Sequence, residues 1–504
     1  MKKFTAIMLF AALLAGVWVS CGEPAGEESA RPDTTVAPGE EDGEAAPAEV
    51  VKIEPDLPAD LDFNGYTFTF LAHQEGTAGW DWVTNDPREI TAEEETGEPI
   101  NDAVFRRNAI LQAKYNFELD MVANTDEVSL LRRTVNAGDD IYDAAIIYNN
   151  NVPGAVQNDL LTEIGKLAYI DQDKPWWDPA ANQMSIAGMN FLLAGDLLIL
   201  DNEATNALIF NKDMIADMAL DLPYELVTEG RWTMDALNNM VRDAGMDLNG
   251  DGEMRYMDDR FGFITFNDTL QALLVGGGGA FAAKDERDIP FMDFASERNI
   301  AVFEKAMNLM YKDTNPSVFN VQSVDAGSGN VTWMAAYYNT FEENRALFMW
   351  IRMRVVEVFR GMEANFGILP MPKYDENQSS YRSLVNPYTG VMLGVPKSAA
   401  ELDRTSMILE AISAESKYTL QPAYYDIVLT RQFTRDVESE AMLDIIFSSR
   451  IYDIGGVYSF GDVFSGVNDL ASRENRDVIS YYERRSAAMQ TAIERLVDRI
   501  ENLE

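Results

Sequence analysis

The run Asp143-Ala144-Ala145-Ile146-Ile147-Tyr148 is apolar almost without interruption. A short continuous apolar segment suits a strand covered on both faces, as in a parallel sheet. Tyr66-Thr67-Phe68-Thr69-Phe70 alternates and reads as an earlier strand. Between them Ile100, Ala103, Val104 and Leu111 recur at helical spacing, with the helix ending near Tyr115. Ala207-Leu208-Ile209-Phe210 is a further apolar strand, followed by Asn211-Lys212-Asp213. Strand, helix and strand in succession define an α/β architecture. The C-terminus reads as a helix with Met489, Ala492, Ile493, Leu496 and Ile500 on one face, and no internal repeat is evident.

Charge and side-chain chemistry exclude several functions. The 504 residues include 83 acids and 40 bases, a formal charge of −43. Phosphate backbones are repelled by such a field, so nucleic acid is excluded as a partner. With one Cys and one His, a cysteine nucleophile, a cysteine zinc site, a Cys/His redox site and a multi-histidine metal site are all ruled out. A Ser-His-Asp arrangement would need His73, and no G-x-S-x-G accompanies it. His73 reads as an ordinary residue where a strand runs into a loop.

Lys2 and Lys3 precede an apolar run from Phe4 to Val19, which is the pattern of a signal peptide over residues 1–20. Val19-Ser20-Cys21-Gly22 is similar to a bacterial lipobox, although Trp18 stands where Leu is usual. That likeness implies a lipidated Cys21 and attachment to the membrane. Residues 21–60 are rich in Glu, Ala, Pro, Gly and Thr, and read as a disordered acidic tether. Fully extended, such a tether reaches on the order of 100 Å.

Asp247-Leu248-Asn249-Gly250-Asp251-Gly252-Glu253 follows the D-x-[DN]-x-[DN]-G pattern of a calcium loop. Calcium takes six to eight oxygens, here expected from Asp247, Asn249, Asp251, the Glu253 carbonyl and Asp258, with Asp259 as a substitute for Asp258. A plain acidic turn fits the same residues. Thr233 is expected to cap a helix before the loop, and Arg260-Phe261-Gly262-Phe263-Ile264 to form a turn into a strand after it. The ion is therefore expected to be structural. Gly276-Gly277-Gly278-Gly279 lacks the Lys-Ser or Lys-Thr of a phosphate loop and reads as a permissive turn beside a cleft.

Several segments resemble the extracellular solute-binding proteins of ABC importers, of the sugar-binding lipoprotein, maltose-binding-protein-like type. They are Asp143–Tyr148 with Val152–Ile164, Ala207–Asp213, Gly230–Gly252 running on to Phe261-Gly262, and Phe366–Lys373 followed by Gly390 and Val395-Pro396-Lys397. Their order along residues 62–504 is more specific than any one of them. The resemblance implies a two-lobed periplasmic-binding-protein-like fold of type II, with ligand in a cleft between lobes joined by crossing strands. Lobe one would comprise 62–205 plus 391–435, and lobe two 206–390 plus 436–504.

Aromatic residues in strand-end loops offer apolar faces beside polar groups, which suits a sugar ring. Trp80, Asp81, Trp82 and, more weakly, Trp177 are candidates on that ground, although paired indoles also anchor loops to a core. The resemblance adds Tyr148, Asn149 and Trp350, with Arg352 just beyond; Trp232 is expected to pack. No catalytic pair is nominated, so the expected protein is not an enzyme. It is a monomeric capture lipoprotein on the outer face of the cytoplasmic membrane, or in the periplasm, passing an oligosaccharide to an ABC permease by hinge closure. The alternatives are a secreted glycoside hydrolase with paired carboxylates and a non-transport glycan-binding protein of the cell surface.

Overall fold

The structure is a computed structural model that describes residues 52–74, 87–311, 313–321, 333–362, 364–430 and 437–503. The leader, Cys21, most of the tether, and Trp80, Asp81 and Trp82 lie outside the described residues. Residues 52–56, assigned by composition to the tether, lie against the fold through Lys52–Glu415 (2.6 Å), Glu54–Lys114 (2.7 Å) and Asp56–Lys174 (2.6 Å).

Thirteen strands are present among the described residues: β1 (Tyr66–His73), β2 (Phe117–Asn124), β3 (Ala144–Tyr148), β4 (Asn206–Asn211), β5 (Phe261–Thr265), β6 (Ala282–Lys284), β7 (Pro290–Met292), β8 (Val318–Asn320), β9 (Ala346–Arg352), β10 (Phe366–Leu369), β11 (Ser383–Leu384), β12 (Val391–Gly394) and β13 (Arg450–Ile451). They build two main sheets, one ordered β12-β3-β1-β2 and one ordered β10-β4-β9-β5-β8. In the first, β1 runs parallel to β2 and β3, and β12 closes it antiparallel to β3.

The continuous apolar run is explained by what covers it. Ala145 and Ile147 of β3 enter one core cluster, while Ala144, Ile146 and Tyr148 enter another across the sheet. A strand with helices on both faces has no position left for a polar side chain. The helix Pro99–Tyr115 carries β1 over to β2, and Ile100, Val104 and Leu111 are its buried stripe. The second sheet holds the largest cluster, around Leu208, Phe210, Trp232, Phe263, Phe348 and Phe366. Trp232 packs as expected: it is fully buried and its Nε1 donates to the Pro370 carbonyl (3.0 Å). Thr233 caps the next helix by accepting from Ala236 N–H. In the C-terminal helix Val478–Glu501, Met489, Ile493, Leu496 and Ile500 are buried as the spacing requires.

Gly276 to Gly279 are set by close packing. A Cβ on Gly277 would stand 2.6 Å from Val302 Cγ1, and one on Gly279 would stand 2.3 Å from Asn299 Oδ1. Gly278 has φ +85°, a conformation that only glycine adopts without strain.

The sheets are connected by segments that bond to one another sideways. The helix Leu200–Glu203 leads into β4. Thr205 bridges to Val385, Asn386 N–H donates to the Ala204 carbonyl (3.0 Å), and Val385 N–H donates to the Ile451 carbonyl (3.0 Å). Arg450 ties the junction together, with Nε 2.9 Å from Asp178 and Nη1 3.2 Å from Asp201.

Candidate functional site

Open α/β sheets place ligands beyond the carboxyl ends of their strands. In the first sheet β1 ends at His73 and β3 at Tyr148. The His73 ring stands edge-on to Tyr148, 4.1 Å between centroids, and its Nδ1 is 2.6 Å from the buried carboxylate of Glu127. Asn151 Nδ2 donates to the other Glu127 oxygen (2.8 Å). The sole histidine therefore braces Tyr148 instead of lying idle in a loop.

Asn149, next to Tyr148, is fully buried, yet neither Oδ1 nor Nδ2 has a hydrogen-bond partner. Asn206 Oδ1 and Thr389 Oγ1 are likewise enclosed and unpartnered. All three belong to the sheet junction: Asn149 N–H donates to Gly390 O (2.9 Å), and Asn206 Nδ2 donates to Leu384 O (2.8 Å). Buried polar atoms are nearly always paired, so these exceptions nominate the junction as a candidate site.

The turn 386–390 runs from this edge to the second sheet. Tyr388 lies 5.3 Å from Phe464, and the Phe464 carbonyl accepts from Gln271 (2.8 Å) on the helix Asp268–Gly276. That helix starts just past β5. Its Asp268 accepts from Asn468 Nδ2 (2.7 Å). Burial pushes the Asp268 carboxyl upward, with Arg352 and Asn468 acting against it. Burial, and then Asp268, raise the Tyr388 phenol to about 12. At the end of β9, Trp350 lies nearly parallel to Phe266, with centroids 6.4 Å apart and planes at 11°. Trp350 Nε1 is enclosed without a partner, and its carbonyl accepts from the Tyr337 hydroxyl. The second edge thus presents a stacked aromatic pair beside a carboxylate and a guanidinium.

Of the residues expected at a ligand, the structure places Tyr148 and Asn149 at the end of β3 and Trp350 and Arg352 at the end of β9. Trp177 is placed elsewhere. It is 5 % exposed in the core of the first sheet, and its Nε1 donates to Glu410 (2.8 Å), as that of Trp176 does (3.0 Å). This is the anchoring arrangement. Asp268, Asn206, Thr389, Tyr388 and Phe266 were not singled out by the sequence. The one available signal was that Phe266 and Asp268 directly follow the strand expected at Phe261–Ile264.

In the acidic loop, Asp247 accepts from Gly250 N–H (2.7 Å) and Gly252 N–H (2.8 Å), while Asn249 accepts from Asp251 N–H (2.9 Å) and Asp251 from Glu253 N–H (2.8 Å). Arg255 pairs with both Asp251 and Glu253. Asp258 points to solvent, and the buried Asp259 closes the loop by accepting from Leu248 N–H (2.9 Å) and Arg255 N–H (2.6 Å). Among the described residues no group of three or more His, Cys, Asp or Glu side chains is arranged to hold a metal.

Two sheets, one mainly parallel and one mixed, with crossing segments and strand ends meeting at one junction, define the two-lobed α/β fold of periplasmic-binding-protein type II. Solved structures that share this fold include a cyclo/maltodextrin-binding protein and a sugar transporter. UspC of M. tuberculosis matches with a TM-score of 0.55 at 16 % identity, covering 84 % of this chain and 100 % of its own. A cyclo/maltodextrin-binding protein complexed with maltotetraose matches with a TM-score of 0.52 at 13 % identity, covering 88 % and 100 %. A sugar transporter from Rhizobium etli in an open conformation gives 0.52 at 13 %, covering 87 % and 100 %. No protein-family model and no curated protein matches the sequence. At these identities the likeness is one of fold.

Proposed function

We propose that the protein captures a carbohydrate outside the cytoplasm and delivers it to an ABC permease without making or breaking a bond. The observation that carries this reading is the junction itself. Asn149, Asn206, Thr389 and Trp350 offer enclosed, unpartnered and uncharged polar atoms beside Tyr148 and the Trp350–Phe266 pair. Neutral amides, a hydroxyl and an indole N–H match sugar hydroxyls, while aromatic faces match the C–H face of the ring. The solved cyclo/maltodextrin-binding protein of the same fold holds maltotetraose, which supports an oligosaccharide here. Tyr148 and Trp350 are each 4 % exposed, so capture in this reading passes through an open state, and ligand contacts from both lobes favour closure. A thermal-shift screen over neutral oligosaccharides tests the reading, because a ligand bound only by the native state raises its melting temperature.

In this reading Cys21 carries lipid and residues 22–51 lead from the membrane to the folded part. Cys21→Ala should shift the protein from the membrane fraction to the medium or periplasm. Identical fractionation of wild type and variant would remove the anchor from the account.

The loop 247–259 is proposed to bind calcium in a structural role. Asp247, Asn249, Asp251 and the Glu253 carbonyl are hard donors of the required kind. Gly250 and Gly252 adopt the positive φ values (74° and 82°) that wind them into one turn. Loading requires Arg255 to leave Asp251 and Glu253. Calcium at about 1 mM should therefore raise the melting temperature over that in chelator, within the affinity range of about 10⁻⁴–10⁻³ M of extracellular sites. Coincident curves would mean that the turn is held by its own hydrogen bonds and by Arg255 alone.

A further inference from the structure

We propose that a groove beside the crossing segments binds a small oxyanion, a carboxylate or a phosphate, through Arg382. The groove has a volume of about 580 Å³ and is lined by Ser380, Tyr381, Arg382, Ser448, Ser449 and Arg450, among others. Arg450 already spends its charge on Asp178 and Asp201. Arg382 does not. Among the described residues its guanidinium makes no hydrogen bond or ion pair, and its Nε is enclosed without an acceptor. The carboxylate that acts on it from a distance is Asp453. That group is already committed to Phe281 N–H and Gly456 N–H, each at 2.9 Å. Arg298 opposes it, and burial pushes its pKa down, the signature of a cation that lacks compensation.

An unsatisfied arginine is unexpected in this chain. Acids outnumber bases 83 to 40, so an acidic partner could have been placed almost anywhere at little cost. A half-buried guanidinium left alone is expensive, whereas its planar fork matches a carboxylate or phosphate with two parallel hydrogen bonds. The groove also contains an opposing feature. The helix Val437–Ser448 ends there, and its last carbonyls repel anions. Ser448 Oγ donates to Ile445 O (3.3 Å) and Ser449 Oγ to Ile446 O (3.1 Å), which spends two of those carbonyls. The groove walls run into β11 and β13, and Val385, just past β11, bonds to Ile451 of β13 at the junction of the sheets.

The test uses the whole protein and no sugar, so its outcome is independent of solute capture. Wild type is titrated by calorimetry with inorganic phosphate and, separately, with citrate at pH 7, with ionic strength matched by chloride. Melting curves are recorded at about 10 mM of each anion. Saturable binding and a raised melting temperature are expected for at least one, and comparison of the two titrations identifies the preferred oxyanion. Arg382→Gln should weaken binding at least about tenfold. Arg287→Gln, at an exposed arginine paired with Asp285, should bind as wild type does. Wild type showing no saturable heat with either anion overturns the proposal, even if Arg382→Gln fails to fold. Saturable binding unchanged in a folded Arg382→Gln overturns it equally.

Discussion

Arg450→Met is expected to cost about 3–5 kcal/mol of folding stability, the range for removing one partner of a buried ion pair. Arg450 reaches Asp178 at 2.9 Å and Asp201 at 3.2 Å, and also bonds Asn202. Asp201 is fully buried. Burial pushes its carboxyl up to about 6, the Asp178 carboxylate pushes the same way, and Arg450 holds it down. Methionine fills similar volume but leaves two buried carboxylates facing each other. Asp201 escapes the penalty only by taking up a proton, so the cost should shrink as pH falls towards 6 and below. Denaturant unfolding at pH 5.5 and 8 measures this. Arg287→Met, at an exposed pair with Asp285, should change stability by less than about 1 kcal/mol. Equal losses in the two variants would show that Arg450 does not hold the junction together.

Stability should also fall as pH rises from about 4.5 to 7, and Glu89 should account for a measurable share. Glu89 is fully buried. Burial, followed by repulsion from Glu203, raises its carboxyl to about 7, against backbone hydrogen bonds and Arg88. Arg107, itself buried, also feels this carboxylate. Between the ordinary glutamate value of 4.5 and 7, the folded chain keeps a proton that the unfolded chain has released. The stabilisation is complete below pH 4.5, declines across that window and is gone above 7. The shift corresponds to about 3 kcal/mol. Asp196, at about 6, and Glu410, at about 7, are raised mainly by burial and add in the same direction. Glu89→Gln removes the ionisable group but keeps an acceptor for Arg88 N–H, which Glu89 Oε2 now binds at 2.8 Å. The variant should gain on wild type by about 2 kcal/mol at pH 8, with no gain at pH 4.5. Parallel stability–pH curves would contradict this.

The legible parts of this protein were those fixed by local periodicity. The β3 run had to be a doubly covered strand, because no polar residue interrupts it. Thr233 had to cap a helix, because its oxygen reaches a free N–H. Trp232, at the start of that helix, packs as its position suggested. The missed parts depend on groups distant in sequence. Nothing around Trp177 indicates that Glu410, 233 positions later, accepts from its indole. Nothing in His73 indicates Glu127. Asn149 could be placed at a strand end, but its unpaired amide is visible only once Gly390 and Val385 close over it; a Cβ on Gly390 would stand 2.7 Å from Asn149 Nδ2. In the acidic loop the sequence ranked Asp258 over Asp259, whereas the chain turns Asp259 inwards because the backbone N–H groups of Leu248 and Arg255 are there to receive it.

Solute capture is tested most directly by titrating wild type and Trp350→Ala with maltotetraose, and with a panel of other neutral oligosaccharides, by calorimetry, while the solution is monitored for cleavage. At least one saccharide should bind wild type saturably and remain intact. Trp350→Ala, still folded, should bind it about tenfold more weakly, for about 1.4 kcal/mol lost. Steady hydrolysis of the saccharide, or equal affinity of a folded Trp350→Ala, would contradict the account.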